Sequence, residues 1–337
     1  FNYMNTPIQD CINNKSFKTP IWLMRQAGRY LPEFRSIREK NQDFIKLCLN
    51  TKLSSEITIQ PINRFDFDAA IIFSDILLVP YALGQQVKFK KNFGPNLEKV
   101  DLNILNDVKK RDFLKKLSPV YETIKETKKK LSISNKDTIG FVGAPWTLLL
   151  YMLNRKSPKE GNFNIFPKDK YINNILIKLD EFLKIHIEAQ IKSGASIIQI
   201  FDSWAGLLPE KDLDYFVYNP IKRLVDFIRQ KKTISICFPR NINSYKMAQQ
   251  AVEKLLKCWI VLADGEPPRS HELDLLASEA NLELNELLLG LQPFAVEARD
   301  QDGDFKLPAS RARILEEIQL LVDQLRQAID AGASSNP

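Results

Sequence analysis

Arg25, Arg29, Arg35 and Arg38 lie close together in the chain, with Gly28 among them. A guanidinium fork binds carboxylates in bidentate fashion, so such a cluster suits a polycarboxylate ligand; a set of surface arginines is the plain alternative. Asp75 comes after an apolar run and precedes Ile76, Leu77 and Leu78. Ser74 and Asp75 are both good helix caps, which is the structural reading. The functional reading of Asp75 is an acceptor for ligand N–H groups that stabilises a developing cation. Tyr151 and Ser203 are hydrogen-bonding side chains that gain meaning only from their positions. His186 lies in an amphipathic stretch and reads as a helix-surface histidine. No second histidine is near it, so a zinc site is not expected. Cys11, Cys48, Cys237 and Cys258 lie far apart without CxxC spacing. They read as buried free thiols of a reducing cytoplasm rather than metal ligands or disulfides.

The elements that must position these residues are legible as five short apolar runs at 21–24, 69–73, 138–142, 197–201 and 233–238. Each is rich in branched or aromatic residues and largely apolar on both faces, as strands of a parallel sheet covered on both sides are. Helical patterns separate them, notably 172–193 and 215–230, so the expected fold is α/β. Each run ends in polar, charged or glycine-bearing residues: Arg25 to Arg29, then Ser74 and Asp75, Gly143 to Thr147, Asp202 and Ser203, Pro239 and Arg240. In a (β/α)8 TIM-type barrel that rim is where an active site is built. An open doubly wound sheet would use the same edge. No GxGxxG or GxxxxGK[ST] is present, which counts against dinucleotide or P-loop binding.

The 337 residues leave ample length for a core. No run of about 18 apolar residues occurs, and the first residues lack a signal-peptide pattern. The chain starts with Phe1, so its natural start is expected upstream. The net charge of +7 hides a break: residues 1–246 carry 40 Lys+Arg against 25 Asp+Glu, and residues 247–337 carry 8 against 16. Such a break marks a domain boundary. A basic first part suits an anionic small molecule or a nucleic acid. The scattered lysines, such as Lys125, Lys128, Lys129 and Lys130, read as a solvated face, because no aromatic interleaving accompanies them.

Five blocks then carry a specific resemblance. PIWLMRQAGRYLPEFR at 20–35, IFSDIL at 72–77 with ALG at 82–84, GFVGAPWTL at 140–148 with Tyr151 and Met152, QIFDSWAG at 199–206 and ICFPR at 236–240 resemble, in order, the signatures of the uroporphyrinogen decarboxylase family. The resemblance covers about residues 4–246. It implies a (β/α)8 barrel, usually homodimeric, that needs no metal or organic cofactor and removes the acetate carboxyls of a tetrapyrrole. Carried over by motif, it implies that Arg25, Arg29 and Arg38 pair with substrate carboxylates. Asp75 would accept hydrogen bonds from the pyrrole N–H groups, and Tyr151 and Ser203 would bind an acetate or a neighbouring carboxylate. Asp75, Arg25 and Arg29 are the catalytic candidates.

The pattern breaks after Lys246. The last three strand blocks that the resemblance implies are not found, which predicts a barrel truncated after about five strands. His271 does not match the family's late histidine. The rest of the chain is helical by pattern, with apolar residues at Val252, Leu255, Leu256, Trp259 and Ala263, then 273–289, then Ile314, Ile318, Leu321, Leu325 and Ile329. AQQAVEKLLK at 248–257, PRSHEL at 268–273 and PFAVEAR at 293–299 resemble a HEPN domain, an all-α bundle often paired with minimal nucleotidyltransferases. An Arg-x(4–6)-His ribonuclease motif is not seen. The expected organisation is a decarboxylase-like partial barrel over 1–246, a HEPN-like helical segment over 247–331 and a disordered tail over 332–337, the two parts meeting as a chimera without a Pro/Gly/Ser-rich linker. The alternative to an enzyme is a helical module that binds a nucleotide or a nucleotidyltransferase, carried on an inactive chain.

Overall fold

The computed structural model describes residues 6–13, 19–90, 94–131, 134–158, 169–240, 245–263, 265–292 and 308–333. The chain forms two compact units, residues 1–241 and 242–337.

In the first unit the strands are β1 (Ala69–Ile71), β2 (Val87–Lys90), β3 (Gly94–Leu97), β4 (Asp137–Gly143), β5 (Ile197–Asp202) and β6 (Ile234–Pro239). Four of them form a parallel sheet in the order β1-β4-β5-β6, and β2 pairs with β3 as an antiparallel hairpin. Helices fill the parallel crossovers, as strand pairing of this kind requires. Lys110–Leu131 leads into β4 and Lys170–Lys192 into β5. Their starts reflect local chemistry: Asp169 accepts from the amides of Tyr171 (2.8 Å) and Ile172 (3.1 Å), capping the second of these helices. Thr51–Phe65 is capped likewise by Asn50, whose oxygen accepts from Leu53 N–H at 3.0 Å.

The sheet's amino end is plugged. Ile8, from the helix Pro7–Ile12, packs with Ala69, Ile71, Ile139 and Ile197, the first residues of the strands or near them. Asp137, at the start of β4, ties that plug down: its carboxylate accepts from Thr6 Oγ1 (2.7 Å), Ile8 N–H (3.2 Å) and Ser196 Oγ (2.7 Å). One end of the sheet is thereby closed, and the carboxyl ends are left as the place for a cleft.

The expected first strand, 21–24, lies beside β1 without joining the ladder, so the parallel sheet holds four of the five expected strands. The reason is a side chain. Gln26 Nε2 donates to Ala69 C=O at 2.9 Å, and Gln26 Oε1 accepts from Ile71 N–H at 3.2 Å. A buried amide thus takes the ladder bonds on the free edge of β1. Upstream, Asp68 N–H donates to Ile21 C=O at 2.9 Å, and Asp68 Oδ2 accepts from Ile21 N–H at 2.7 Å.

His186 departs from its expected surface position. It is buried on the helix Lys170–Lys192, where Tyr121 Oη meets its Nδ1 at 3.1 Å, and Phe113 packs on Phe182 nearby with ring centroids 4.9 Å apart. Its face of the helix packs against Lys110–Leu131, through Tyr121 and Phe113, so tertiary packing decides its environment. Lys125, Lys128, Lys129 and Lys130 do lie on Lys110–Leu131, and Lys125, Lys128, Lys129 and Lys130 are exposed there. Of the four free cysteines only Cys48 is buried; Cys11, Cys237 and Cys258 are exposed, contrary to the expectation of buried thiols.

The second unit is helical. Tyr245–Leu262, Leu273–Glu279, Glu286–Leu289 and Arg311–Ala333 enclose Val252, Leu256, Ile260, Leu273, Leu276, Leu288, Leu291, Ile314 and Leu321. The expected disordered tail begins too early, because the last helix includes Gly332 and Ala333; residues 334–337 lie outside the described residues, as does the block 293–299.

This packing has two measurable consequences. Gln26→Leu strands the amide of Ile71 and the carbonyl of Ala69, and urea unfolding is expected to show a loss of about 2 kcal/mol. Burial pushes His186 down to about 3 from its ordinary 6.5. Below pH 6.5 the unfolded chain takes up this proton and the folded chain does not, so stability falls toward pH 3 by about 1.4 kcal/mol per pH unit from this group. His186→Gln, which keeps a partner for Tyr121, is expected to flatten that acid limb in denaturant titrations run from pH 7 to pH 4.

Candidate active site

A cleft of about 380 Å³ opens at the carboxyl ends of β1, β4 and β5, within the range of small-molecule sites. Arg25, Asp75, Tyr151 and Ser203 all line it. Its apolar walls are aromatic: Phe44, Phe73, Phe89, Phe141 and Phe201. Phe141 and Phe201 stand edge to face, 5.4 Å apart, on adjacent strands. This is the inner face of the sheet, because Phe141 and Gln199, and Gly143 and Phe201, are paired in the β4–β5 register.

Each polar residue arrives by its own route. Arg25 precedes Gln26, so the edge bonds of Gln26 to β1 hold it at the cleft. Asp75 comes after β1 in the turn before the helix Leu78–Ala82, where Oδ1 accepts from Leu77 N–H at 2.8 Å. This bond closes a turn ahead of the helix rather than capping it: the cap position is Leu77, which has no side-chain cap, so the helix-cap reading of Asp75 is not realised. Tyr151 comes from the helix Pro145–Asn154, which starts directly after β4. Gly143 makes that approach close: a Cβ there would stand 2.8 Å from Leu148 and 3.0 Å from Ile76. Ser203 directly succeeds the last residue of β5.

The electrostatics single out Asp75. Burial pushes its carboxyl up to about 6, and the one amide that donates to it, Leu77, only partly opposes this. Water removal disfavours the charged form unless a cation or further donors arrive. A ligand bringing N–H groups or positive charge would supply what the site lacks.

Two of the expected residues stand apart from the cleft lining. Arg38 lies 5.5 Å from the ring centroid of Phe44, which does line it, and its guanidinium donates to Asn41 C=O. Arg38 and Asp75 both act electrostatically on Cys48, so they share a neighbourhood. Arg29 is exposed; its carbonyl accepts from Arg35 Nη1 at 2.8 Å. Reading the sequence missed Phe44 and the hairpin that brings Phe89 and Pro95 to the cleft. The alternation of Val87, Lys88, Phe89 and Lys90, followed by Gly94, was the available signal for the hairpin. Among the described residues no group of three or more His, Cys, Asp or Glu side chains is arranged to hold a metal ion.

Residues 5–261 match the family model described as Uroporphyrinogen decarboxylase (URO-D). The chain belongs to the uroporphyrinogen decarboxylase family. A relative named uroporphyrinogen decarboxylase, from Campylobacter fetus subsp. fetus (strain 82-40), is 41% identical over 245 residues, covering 71% of each chain. One of the same name from Orientia tsutsugamushi (strain Ikeda) is 40% identical over 281 residues, which is 82% of this chain and 76% of that one. A solved methyltransferase from Methanosarcina mazei matches with a TM-score of 0.53 at 16% identity, covering 68% of each chain, and supports the fold alone. Residues 243–326 match the model described as HEPN domain, so the two matched spans overlap over 243–261. That overlap falls on the helix Tyr245–Leu262 of the second unit.

The charge state of Asp75 is testable without substrate. Its folded pKa, about 6, lies above the ordinary 3.8, so the folded chain holds the proton more tightly and stability falls as pH rises from about 4 to 6. Asp75→Asn keeps an acceptor for Leu77 and removes the buried charge. Urea unfolding at pH 7.5 is expected to show the variant about 1–3 kcal/mol more stable than the parent, with the difference vanishing near pH 4.

Proposed function

We propose that this chain decarboxylates uroporphyrinogen III, removing acetate carboxyl groups to give coproporphyrinogen III. The observation that carries the reading is Asp75: a carboxyl in one cleft with Arg25, Tyr151, Ser203 and aromatic side chains, pushed up to about 6 by burial. Names of relatives at 40 and 41% identity support it.

The chemistry suits these groups. Protonation of the pyrrole carbon beside an acetate arm turns the ring into a cation. The C–C bond to the carboxylate then breaks, CO2 leaves, and the electron pair enters the ring. A proton delivered to the exocyclic carbon and one lost from the ring restore the aromatic pyrrole, now bearing a methyl group. Net, one carboxylate and one proton give one methyl group and one CO2. The ring is its own electron sink. Asp75 accepts from the central pyrrole N–H groups and, once ionised, stabilises the ring cation; fixed charge in a water-poor cleft does this without reorganisation. Arg25 pairs with the reacting or a neighbouring carboxylate, and Tyr151 and Ser203 orient it. Arg29 and Arg38, outside the cleft lining, serve the peripheral carboxylates of a ligand larger than the cleft floor. The remaining organisation is proposed on the same basis: residues 1–246 as the catalytic part, residues 247–331 as a helical binding module for a nucleotidyltransferase, and a homodimer through the catalytic part.

The test is turnover of uroporphyrinogen III by the purified chain, monitored as coproporphyrinogen III. The parent is expected to be active, Asp75→Asn to lose about 10²-fold or more in kcat, and Arg25→Gln to lose about 10- to 100-fold in kcat/KM. A folded parent that turns over none of the substrate overturns the reading.

A further inference from the structure

Asp202 is the last residue of β5 and is fully buried. Strand alternation sends it to the face opposite Phe201, so it points at the helices and not into the cleft. Its Oδ1 accepts from Thr147 Oγ1 at 2.5 Å, and the Thr147 amide donates to the same carboxyl. Thr147 is the third residue of the helix Pro145–Asn154, whose own cap position, Ala144, has no polar side chain to offer. A carboxylate from the neighbouring strand therefore caps this helix, where the positive end of the helix dipole favours it. With its hydrogen committed to Asp202, the Thr147 oxygen accepts from Trp204 N–H at 3.2 Å. Trp204 C=O in turn accepts from Trp146 Nε1 at 2.9 Å.

The chain of bonds brackets two residues of the cleft. Ser203 sits between Asp202 and Trp204, so its backbone is held on both sides. Tyr151 lies four residues after Thr147 on the same helix face, and its ring stands 6.2 Å from that of Trp204, edge to face. Meanwhile Oδ2 of Asp202 is buried with no partner among the described residues. A half-satisfied buried carboxyl is a burden on folding, and a hydroxyl or amide would cap the helix with a smaller one.

We propose that Asp202 is a positioning residue for the decarboxylation: through Thr147 it sets Ser203 and Tyr151 at the cleft, a role that rests on the function proposed above. It touches no reacting atom and acts by holding one strand end and one helix start in register.

The experiment compares the parent with Thr147→Val, Thr147→Ser, Asp202→Ala and the Asp202→Ala/Thr147→Val double variant, in turnover of uroporphyrinogen III and in the indole N–H resonance of Trp146. Thr147→Val removes only the linking hydroxyl, so it carries the test if Asp202→Ala fails to fold. Thr147→Val and Asp202→Ala are each expected to lower kcat by about 10-fold or more with KM little changed, the double variant to be no worse than the weaker single, and Thr147→Ser to restore kcat. The Trp146 resonance is expected to shift alike in both single variants and to stay in place in Thr147→Ser. Losses that multiply in the double variant, a parental kcat in Thr147→Val, or an unmoved resonance overturn the proposal. The two failures are distinct: an inactive parent strikes the proposed decarboxylation, whereas the resonance reports on the Asp202–Thr147–Trp204 linkage whether or not the chain turns over.

Discussion

Parallel pairing of β1, β4, β5 and β6 is the constraint on which the site depends. Parallel strands bring all their carboxyl ends to one edge, and each ladder bond fixes which residues become neighbours there. The register that sets Gly143 opposite Phe201 also sets Asp202 beside the first turn of the helix after β4. Residues distant in the chain thereby meet without any contact of their own drawing them together. The free edge of β1 needs a different solution, since no regular strand lies on it. The Gln26 amide supplies one, and by doing so holds Arg25 at the cleft.

Three buried or half-buried carboxyls in this unit show how donor supply separates roles. Asp137, at the plugged end, has three donors from Thr6, Ile8 and Ser196 and ties elements together, although burial still pushes it upward. Asp202, on the outer face, has both its donors from Thr147 and one oxygen without a partner, and burial pushes it up to about 7. Asp75, on the cleft floor, has the single amide of Leu77 and stands at about 6. The carboxyl with the fewest donors is the one of the three that lines the cleft.

The second unit is held differently. Leucine and isoleucine from four helices form its core, and Glu253 joins helix and loop by accepting from Lys257 Nζ at 2.9 Å and meeting His271 Nδ1 at 3.0 Å. The break in charge at residue 246 and the change from strand–helix alternation to helical periodicity were both visible in the residues, because composition and period are local properties.

Much of the site was also legible locally. Arg25, Asp75 and Ser203 each come just after an apolar run, and Tyr151 comes from the helix that starts where one ends. A run covered on both faces ends at a sheet edge whatever its neighbours are, which holds for the runs before Asp75 and Ser203, whereas Arg25 owes its place to the bonds of Gln26. Family blocks supplied their order. The residues by themselves therefore determined the strand–helix alternation, the edge at which polar groups gather and the family. Only the tertiary structure decided that Gln26 replaces a strand on β1, that His186 is buried, that a hairpin brings Phe89 to the cleft, that Arg29 and Arg38 stand outside its lining, and that Asp202 serves the helix side. Each of these depends on which surfaces pack together across long sequence separations, and hydrophobic period and propensity carry no information about partners that far apart.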